Sequence, residues 1–356
     1  MRPRSRLLPL SSWALLAVLL PVSPAGRAQT TPAASADPAD VALLAQLGKR
    51  PNRVHDPSTI VRDKGEYWLF YTGRGVRSLH SHDLVTWTPG PAVFAVRPAW
   101  TLTAVPENRG GDQGDYWAPD VIELNGRFLL YYSVSTFGKR VSAIGLATNT
   151  TLDPADPGYK WVDQGPVIES TNADNFNTID PAVTLDGQGR LWLAFGSFWS
   201  GIKLVQLDPT TGKRLAPDSP IHALARAKSI EASYIYFHDG YYYLFVNWGT
   251  CCRGVDSTYE IRVGRSREIT GPYCDKAGAD LREGGGSLFL ATEGPFIGPG
   301  HAGILRDGGH FWLSVHFYDR TQRGMSNLAI RPLLWDADGW PVAGRLAAPA
   351  IPATGS

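Results

Sequence analysis

The chain of 356 residues is poor in cysteine and in net charge, and it has no long hydrophobic run. Three cysteines cannot supply the disulfide framework of a small stapled scaffold. The 34 Lys and Arg nearly balance the 33 Asp and Glu, so the chain offers no global basic field to a nucleic-acid phosphate backbone. The uninterrupted apolar run at residues 13–22 has only ten residues, whereas a membrane span needs about 20.

The composition that remains is that of a folded protein rich in turns. Hydrophobic residues make up 43% of the chain and charged residues 19%, which is too apolar for a disordered segment. The 38 glycines and 27 prolines show no collagen-like period. The length allows either one large β architecture or two ordinary domains.

Residues 1–28 have the pattern of a secretory signal peptide. Three arginines fall within the first six residues, an apolar stretch follows at 7–22, and the small residues Gly26 and Ala28 precede Gln29. The alternative, a membrane anchor, needs a longer apolar run. We therefore expect a secreted protein, extracellular or periplasmic, that has no membrane partner once the signal is removed.

The rest of the chain divides into three parts. Residues 29–50 are interpreted as an N-terminal tether, 51–345 as the main domain and 346–356 as a C-terminal tail. The main domain contains five copies of one pattern: a glycine after polar turn residues, then a run of large apolar residues ending in leucine. The copies lie at 65–69, 126–130, 189–193, 240–244 and 309–313. Each copy predicts a hairpin turn followed by a half-buried strand.

The spacing of these copies predicts an all-β fold. They recur at intervals of 61, 63, 51 and 69 residues, and no helical apolar period stands out between them. Strands repeated at this interval are typical of four-stranded blades around an axis. A β-sandwich with accidental similarity is the alternative. We interpret the main domain as a five-bladed β-propeller.

The repeat also selects a set of acidic residues. We define the axial positions as those nine residues before each repeat glycine. They are Asp56, Trp117, Asp180, Glu231 and Gly300, the last followed by His301. Because the innermost strands of a propeller line one channel, these residues should converge there. An Asp-Pro pair is ordinarily a turn signal, but of six such pairs only Asp56 and Asp180 stand at axial positions.

Three converging carboxylates have two main uses. Like charges in a confined cleft raise one another's pKa, so one group can stay protonated near neutral pH. One ionised and one protonated carboxyl are the groups required for glycoside hydrolysis. A calcium site built from oxygen ligands is the other use.

Several segments together resemble a known family. They are 54–58 (VHDPS), 116–120 (YWAPD), 177–181 (NTIDP), 195–202 (FGSFWSGI), 231–232 (EA), 251–254 (CCRG) with 257–259 (STY), and 298–301 (GPGH). They are similar to glycoside hydrolase family 43 and, within it, to the endo-1,5-α-L-arabinanases. The resemblance covers about residues 50 to 340. GSFWSGI and the CCRG–STY pair are the segments specific to the arabinanase branch.

The resemblance implies a five-bladed propeller that hydrolyses internal α-1,5-L-arabinofuranosidic bonds of arabinan, a pectin side chain, with inversion. By position, Asp56 matches the general base and Glu231 the general acid. Asp180 matches the carboxylate that orients the acid and raises its pKa. The alternatives are an exo-acting α-L-arabinofuranosidase or β-xylosidase on the same scaffold, or a non-catalytic carbohydrate-binding propeller. We expect a monomer with no nucleic-acid partner.

Five residues are candidates for substrate binding. Trp117 stands at an axial position, so its indole is predicted to face the cleft and contact sugar C–H groups. His55, Asn177, Ser197 and Phe198 flank catalytic positions or lie in an arabinanase-specific segment. For most tryptophans, core packing is the better interpretation.

His301 and the cysteines complete the candidates. The resemblance implies that His301 holds a calcium ion in the channel, with waters supplying most ligands because calcium prefers about six to eight oxygens. The alternative is a satisfied buried histidine. A bond between the neighbours Cys251 and Cys252 would be strained, so we expect no structural staple there and treat the pair as a local feature of its loop. If the two do form a disulfide, Cys274 is left unpaired.

Overall fold

The computed structural model describes residues 52–344, which form five antiparallel sheets following one another along the chain. The sheets are the blades of a five-bladed β-propeller, as predicted. The predicted signal, tether and tail lie outside the described residues, as do the first and last residues of the predicted domain. Between residues 52 and 344, no helix is long and apolar enough to cross a membrane.

The strands follow the chain order within each blade. Blade one contains β1 (Val61–Asp63), β2 (Glu66–Tyr71), β4 (Arg77–Ser81) and β5 (Thr88–Pro89). Blade two contains β6 (Asp115–Leu124), β7 (Arg127–Val134), β8 (Ser142–Asn149) and β9 (Val162–Ser170), with β3 (Gly73–Arg74) added beside β6. Blade three contains β10 (Ala182–Leu185), β11 (Leu191–Phe195), β12 (Ile202–Leu207) and β13 (His222–Ala225).

The last two blades have the same order. Blade four contains β14 (Ile230–His238), β15 (Tyr241–Trp248), β16 (Glu260–Ser266) and β17 (Ser287–Leu290). Blade five contains β18 (Phe296–Asp307), β19 (His310–Asp319), β20 (Met325–Trp335) and β21 (Pro341–Ala343). Among the described residues, one short helix, α1 (Trp100–Ala104), lies between β5 and β6. Single 3₁₀ turns lie at Gly111–Gln113, Gly254–Asp256, Leu281–Glu283 and Arg320–Gln322.

Each repeat glycine lies in the turn between the first and second strands of its blade. The five glycines have left-handed φ angles, namely Gly65 (86°), Gly126 (73°), Gly189 (76°), Gly240 (75°) and Gly309 (82°). In blades one, two, four and five the preceding residue is also left-handed, as a type I′ hairpin turn requires. The predicted hairpins are therefore confirmed, and the turn geometry explains why glycine recurs.

Hydrophobic contacts between neighbouring blades close the ring. One cluster joins Leu69 and Leu79 of blade one to Leu328 of blade five, and all three side chains are buried. The Leu328 N–H also donates to the carbonyl of Asn52, at 2.9 Å. Since burying a leucine contributes roughly 1.5–3 kcal/mol, this seam holds the first blade to the last.

The backbone bends at the axial positions. Each blade has one left-handed, non-glycine residue at its axial position or directly after it: Asp56 (φ 50°), Ala118 (42°), Asp180 (57°), Ala232 (52°) and His301 (58°). We call these five the left-handed axial residues. In blades two, four and five the bend falls one residue after the predicted position, beside β-bulges in the first strand. In two blades the innermost strand does not begin near the axial position, since β1 begins only at Val61 and β18 already at Phe296. The reason is that a left-handed residue ends regular strand pairing unless a bulge absorbs it.

Candidate active site

A cleft of about 740 Å³ opens over the axial positions. Its walls include all nine residues predicted from the sequence, which are His55, Asp56, Trp117, Asn177, Asp180, Ser197, Phe198, Glu231 and His301. Because these residues come from all five blades, only ring closure brings them together. Their individual roles stay predictions.

Asp56 lies between three polar side chains. Its Oδ2 is 2.7 Å from His55 Nδ1 and accepts a 2.6 Å hydrogen bond from Thr72 Oγ1. Its Oδ1 is 3.1 Å from His301 Nδ1. Burial by itself would raise the pKa of Asp56, but the charges of His55 and His301 outweigh burial and hold that pKa well below its usual range. Asp56 is therefore ionised and able to accept a proton.

Asp180 and Glu231 occupy a different environment. The Ala232 N–H donates to Asp180 Oδ2 at 3.0 Å, which ties Asp180 to the residue after Glu231. Burial, against the opposing charge of His301 and together with repulsion from Glu231 and Asp56, raises the pKa of Asp180 to about 8. Burial also raises the pKa of Glu231. Because the two titrations are linked, the pair as a whole retains a proton near neutral pH.

Glu231 is held by two hydroxyl groups. Ser197 Oγ donates to Oε2 at 3.0 Å, and the Tyr259 hydroxyl donates to Oε1. These bonds oppose the effect of burial on the pKa of Glu231 without overcoming it. The cleft therefore contains an ionised carboxylate, Asp56, and a carboxyl pair that keeps a proton, which are the two states that acid–base glycoside hydrolysis needs.

The candidate substrate-binding residues differ in how they are held. Trp117 lies half-buried in the cleft wall, where its Nε1 donates to Asp115 at 3.2 Å. Its ring packs edge-on against Phe137, which is 77% exposed at the rim. Asn177 is buried and accepts a 2.7 Å hydrogen bond from Ser142. The wall thus combines aromatic surfaces with polar groups that are fixed by hydrogen bonds.

A sequence model of glycosyl hydrolases family 43 matches residues 50–341. The chain belongs to this family. It is 41% identical over 315 residues to the Bacillus subtilis protein named extracellular endo-α-(1→5)-L-arabinanase 1, covering 86% of this chain and 92% of the relative. It is 40% identical over 308 residues to the Cellvibrio japonicus protein named extracellular exo-α-(1→5)-L-arabinofuranosidase ArbA, covering 83% and 87%. A crystal structure of Cellvibrio cellulosa α-L-arabinanase complexed with arabinohexaose matches with a TM-score of 0.78 and 40% identity, covering 83% of this chain and 96% of that chain.

In this family 43 glycoside hydrolase, four further residues that the sequence analysis did not select contact the site. Thr72 and Tyr259 line the cleft, whereas His316 and Tyr318 are buried behind it against Asp56 and His55. A signal existed for three of them: Tyr259 ends the arabinanase-specific STY segment, and Thr72 and His316 each lie seven residues after a repeat glycine. Tyr318 had no such signal, since its hydroxyl reaches His55 Nε2, at 2.7 Å, only through the fold.

The adjacent cysteines are a local feature of their loop, and the structure shows that they do bridge. Cys251 and Cys252 form a disulfide in the cleft wall, while Cys274 has a free thiol. The left-handed backbone at Cys252, with φ of 65°, turns the two side chains toward each other. The same turn lets the Cys252 N–H donate to the Tyr318 hydroxyl at 2.8 Å. The bond therefore shapes a wall of the cleft rather than stapling distant segments.

The surroundings of His301 are compatible with a metal ligand. Its Nδ1 faces the Asp56 carboxylate at 3.1 Å, which leaves Nε2 to face an ion. An ion bound there would displace the Nε2 proton of the imidazolium. Histidines that bind metals commonly direct the other ring nitrogen to a carboxylate. Calcium would still need most of its oxygen ligands from water, so the calcium prediction rests on one imidazole and the cleft around it.

Proposed function

We propose that this glycoside hydrolase cleaves internal α-1,5-linked L-arabinofuranosyl bonds of arabinan with inversion of configuration. The observation that carries the proposal is the pairing, in one cleft, of ionised Asp56 with a protonated Asp180–Glu231 pair. The similarity to the Bacillus subtilis endo-arabinanase supports the substrate. The near-neutral charge of the chain suits a neutral polysaccharide.

In this proposal the two carboxyl groups act on opposite sides of one bond. Asp56 takes a proton from a water molecule, whose oxygen forms the new bond to the anomeric carbon. Glu231 gives its proton to the glycosidic oxygen as the old bond breaks, so the leaving sugar departs as a neutral alcohol. Asp180 keeps Glu231 protonated through like-charge repulsion and orients it through the Ala232 N–H.

Exo action is the second candidate, because ArbA, at 40% identity, is named an exo-acting enzyme. The experiment is a time course of products from linear arabinan, with branched arabinan and arabinoxylan as further substrates. Endo action gives a mixture of oligosaccharides before arabinose accumulates. A single short product from the first minutes would support exo action instead. Tight arabinan binding without release of reducing sugar would identify a non-catalytic propeller.

Export and oligomeric state are also part of the proposal. The two relatives named extracellular support secretion of this chain, for which residues 1–28 would be the signal. Amino-terminal sequencing of secreted protein should begin at Gln29. Light scattering of the purified enzyme should give the mass of one chain, because the cleft is complete within one propeller.

We also propose a calcium ion in the channel, on the basis of the sequence resemblance and the surroundings of His301. His301 would hold the ion through Nε2, with waters as the other ligands, and the ion would supply positive charge near the carboxylates. None of the catalytic steps above depends on it.

A further inference from the structure

The backbone N–H groups of the left-handed axial residues follow a rule that runs around the propeller. In four of five cases the acceptor is a side chain on the preceding blade, seven residues after that blade's repeat glycine. The bonds are Ala118 N–H to Thr72 Oγ1 (2.8 Å), Asp180 N–H to Ser133 Oγ (3.0 Å), His301 N–H to Asn247 Oδ1 (3.0 Å) and Asp56 N–H to His316 Nδ1 (3.1 Å). The last bond joins blade five to blade one.

The fifth left-handed axial residue, Ala232 of blade four, has a different kind of acceptor. Blade three has Gly196 at this position and so offers no acceptor side chain. The Ala232 N–H of blade four donates instead to the Asp180 carboxylate, at 3.0 Å. A residue predicted to act in catalysis therefore fills the gap and completes the ring of five bonds.

Each of these hydrogen bonds should fix the position of the left-handed axial residue that donates it. A left-handed, non-glycine residue is a strained conformation that persists only where its surroundings fix it. A buried N–H must also find an acceptor, because leaving it unpaired costs free energy. Ser133, Asn247 and His316 are each at most 1% exposed, so water cannot replace them. The acceptor consequently fixes where the axial Cα lies and where its side chain leaves the backbone.

We propose that Ser133 and His316 are positioning residues for Asp180 and Asp56, acting through the backbone N–H of each carboxylate residue. This proposal rests on the proposed function. Each blade thereby sets the axial residue of the next blade. Because Gly196 leaves a gap, Ser133 also acts on blade four: it places Asp180, and Asp180 holds the backbone next to Glu231.

The test compares three variants on linear arabinan. Ser133→Ala removes the acceptor for the Asp180 N–H. Ser133→Thr keeps a hydroxyl acceptor, and threonine is the residue that blade one has at the equivalent position, Thr72. Ser314→Ala is the control, since this buried serine binds only the carbonyl of Gly303 within its own blade. We expect Ser133→Ala to lower kcat by about 10- to 100-fold with KM changed less than about twofold, because small misplacements of catalytic groups cost this much. Ser133→Thr should recover most of kcat, and Ser314→Ala should keep kcat while its melting temperature falls.

A second pair of variants covers the case in which Ser133→Ala does not fold. His316→Asn keeps an acceptor of the kind that Asn247 provides in blade four, whereas His316→Leu has none. The asparagine variant should retain at least about tenfold more kcat than the leucine variant. Wild-type kcat and KM in Ser133→Ala, or equal kcat in both His316 variants, would overturn the proposal. An inactive wild-type enzyme would instead overturn the proposed function.

Discussion

His301 Nδ1 lies 3.1 Å from Asp56 Oδ1, although the two residues belong to blades at opposite ends of the chain. This contact shifts the pKa of both side chains. Burial by itself would lower the pKa of His301, but the Asp56 carboxylate raises it to about 9. His301 in return helps His55 to keep the pKa of Asp56 low. The predicted base is therefore held ionised by its neighbours, while the predicted acid is surrounded by carboxylates and hydroxyls.

Leaving-group chemistry should separate the acid from the base. Glu231→Ala should abolish arabinan cleavage, by at least about 10²-fold, yet spare much of the rate on an aryl arabinofuranoside whose activated phenol needs no proton. Asp56→Ala should lose a similar factor on both substrates, because the attacking water always needs deprotonation. Initial rates on the two substrates measure this. Rescue of Asp56→Ala but not of Glu231→Ala would reverse the assigned roles.

Asp180→Asn should shift the alkaline limb of the pH–rate profile. Repulsion from Glu231 contributes to the raised pKa of Asp180, and activity requires that the pair keep a proton. Activity is thus lost as pH rises through the higher pKa, and removing one charge moves that loss to lower pH. A shift of about one unit reduces the rate at a fixed alkaline pH by up to tenfold. An unchanged limb in a folded, active variant would mean that Asp180 does not tune Glu231.

Removal of divalent cations should lower activity or melting temperature if the axial ion is present. Dialysis against EDTA should have this effect, and added calcium should reverse it by binding to the folded state. His301→Ala provides the control, because its melting temperature should no longer respond to calcium. Identical activity and melting of the native enzyme before and after dialysis would leave His301 as a partner of Asp56 alone.

Asp120 should matter for activity although the proposed mechanism does not use it. Its buried carboxylate accepts the N–H of Thr59 at 2.9 Å and of Val183 at 2.8 Å. These residues lie three positions after Asp56 and Asp180, so one carboxylate anchors both segments. In Asp120→Asn the amide can accept from only one of them. Leaving the other N–H unpaired should cost about 1–3 kcal/mol, and kcat should fall as the two catalytic segments shift.

Asp186→Asn is the matched control for Asp120. Asp186 is also buried, but its carboxylate binds only its own hairpin, through Gln188 N, Arg190 and Trp192 Nε1. This variant should lose stability in denaturant unfolding while kcat of the folded enzyme stays near wild type. Equal kcat for both variants would show that Asp120 contributes to stability alone.

Much of this molecule could be predicted from local sequence. The five repeat glycines predicted five hairpins because such tight turns need a left-handed residue, and Gly65 and its equivalents supply one in every blade. Counting back nine residues then found Asp56, Asp180 and Glu231, since repeated units place equivalent residues at one axis. The position of the left-handed residue in each blade was harder to predict, because β-bulges move it one residue past the axial position in blades two, four and five.

The partners of those residues were decided only by the tertiary structure. Asp56 meets His316, 260 residues away, because the last blade closes against the first. Tyr318 reaches His55 across 263 residues for the same reason. The protonation of the carboxyl groups is likewise set by burial and by neighbouring charges, which lie on other blades except for His55 beside Asp56. The repeat in the sequence determines which residues face the axis, whereas closure of the ring determines what each of them contacts and therefore its charge.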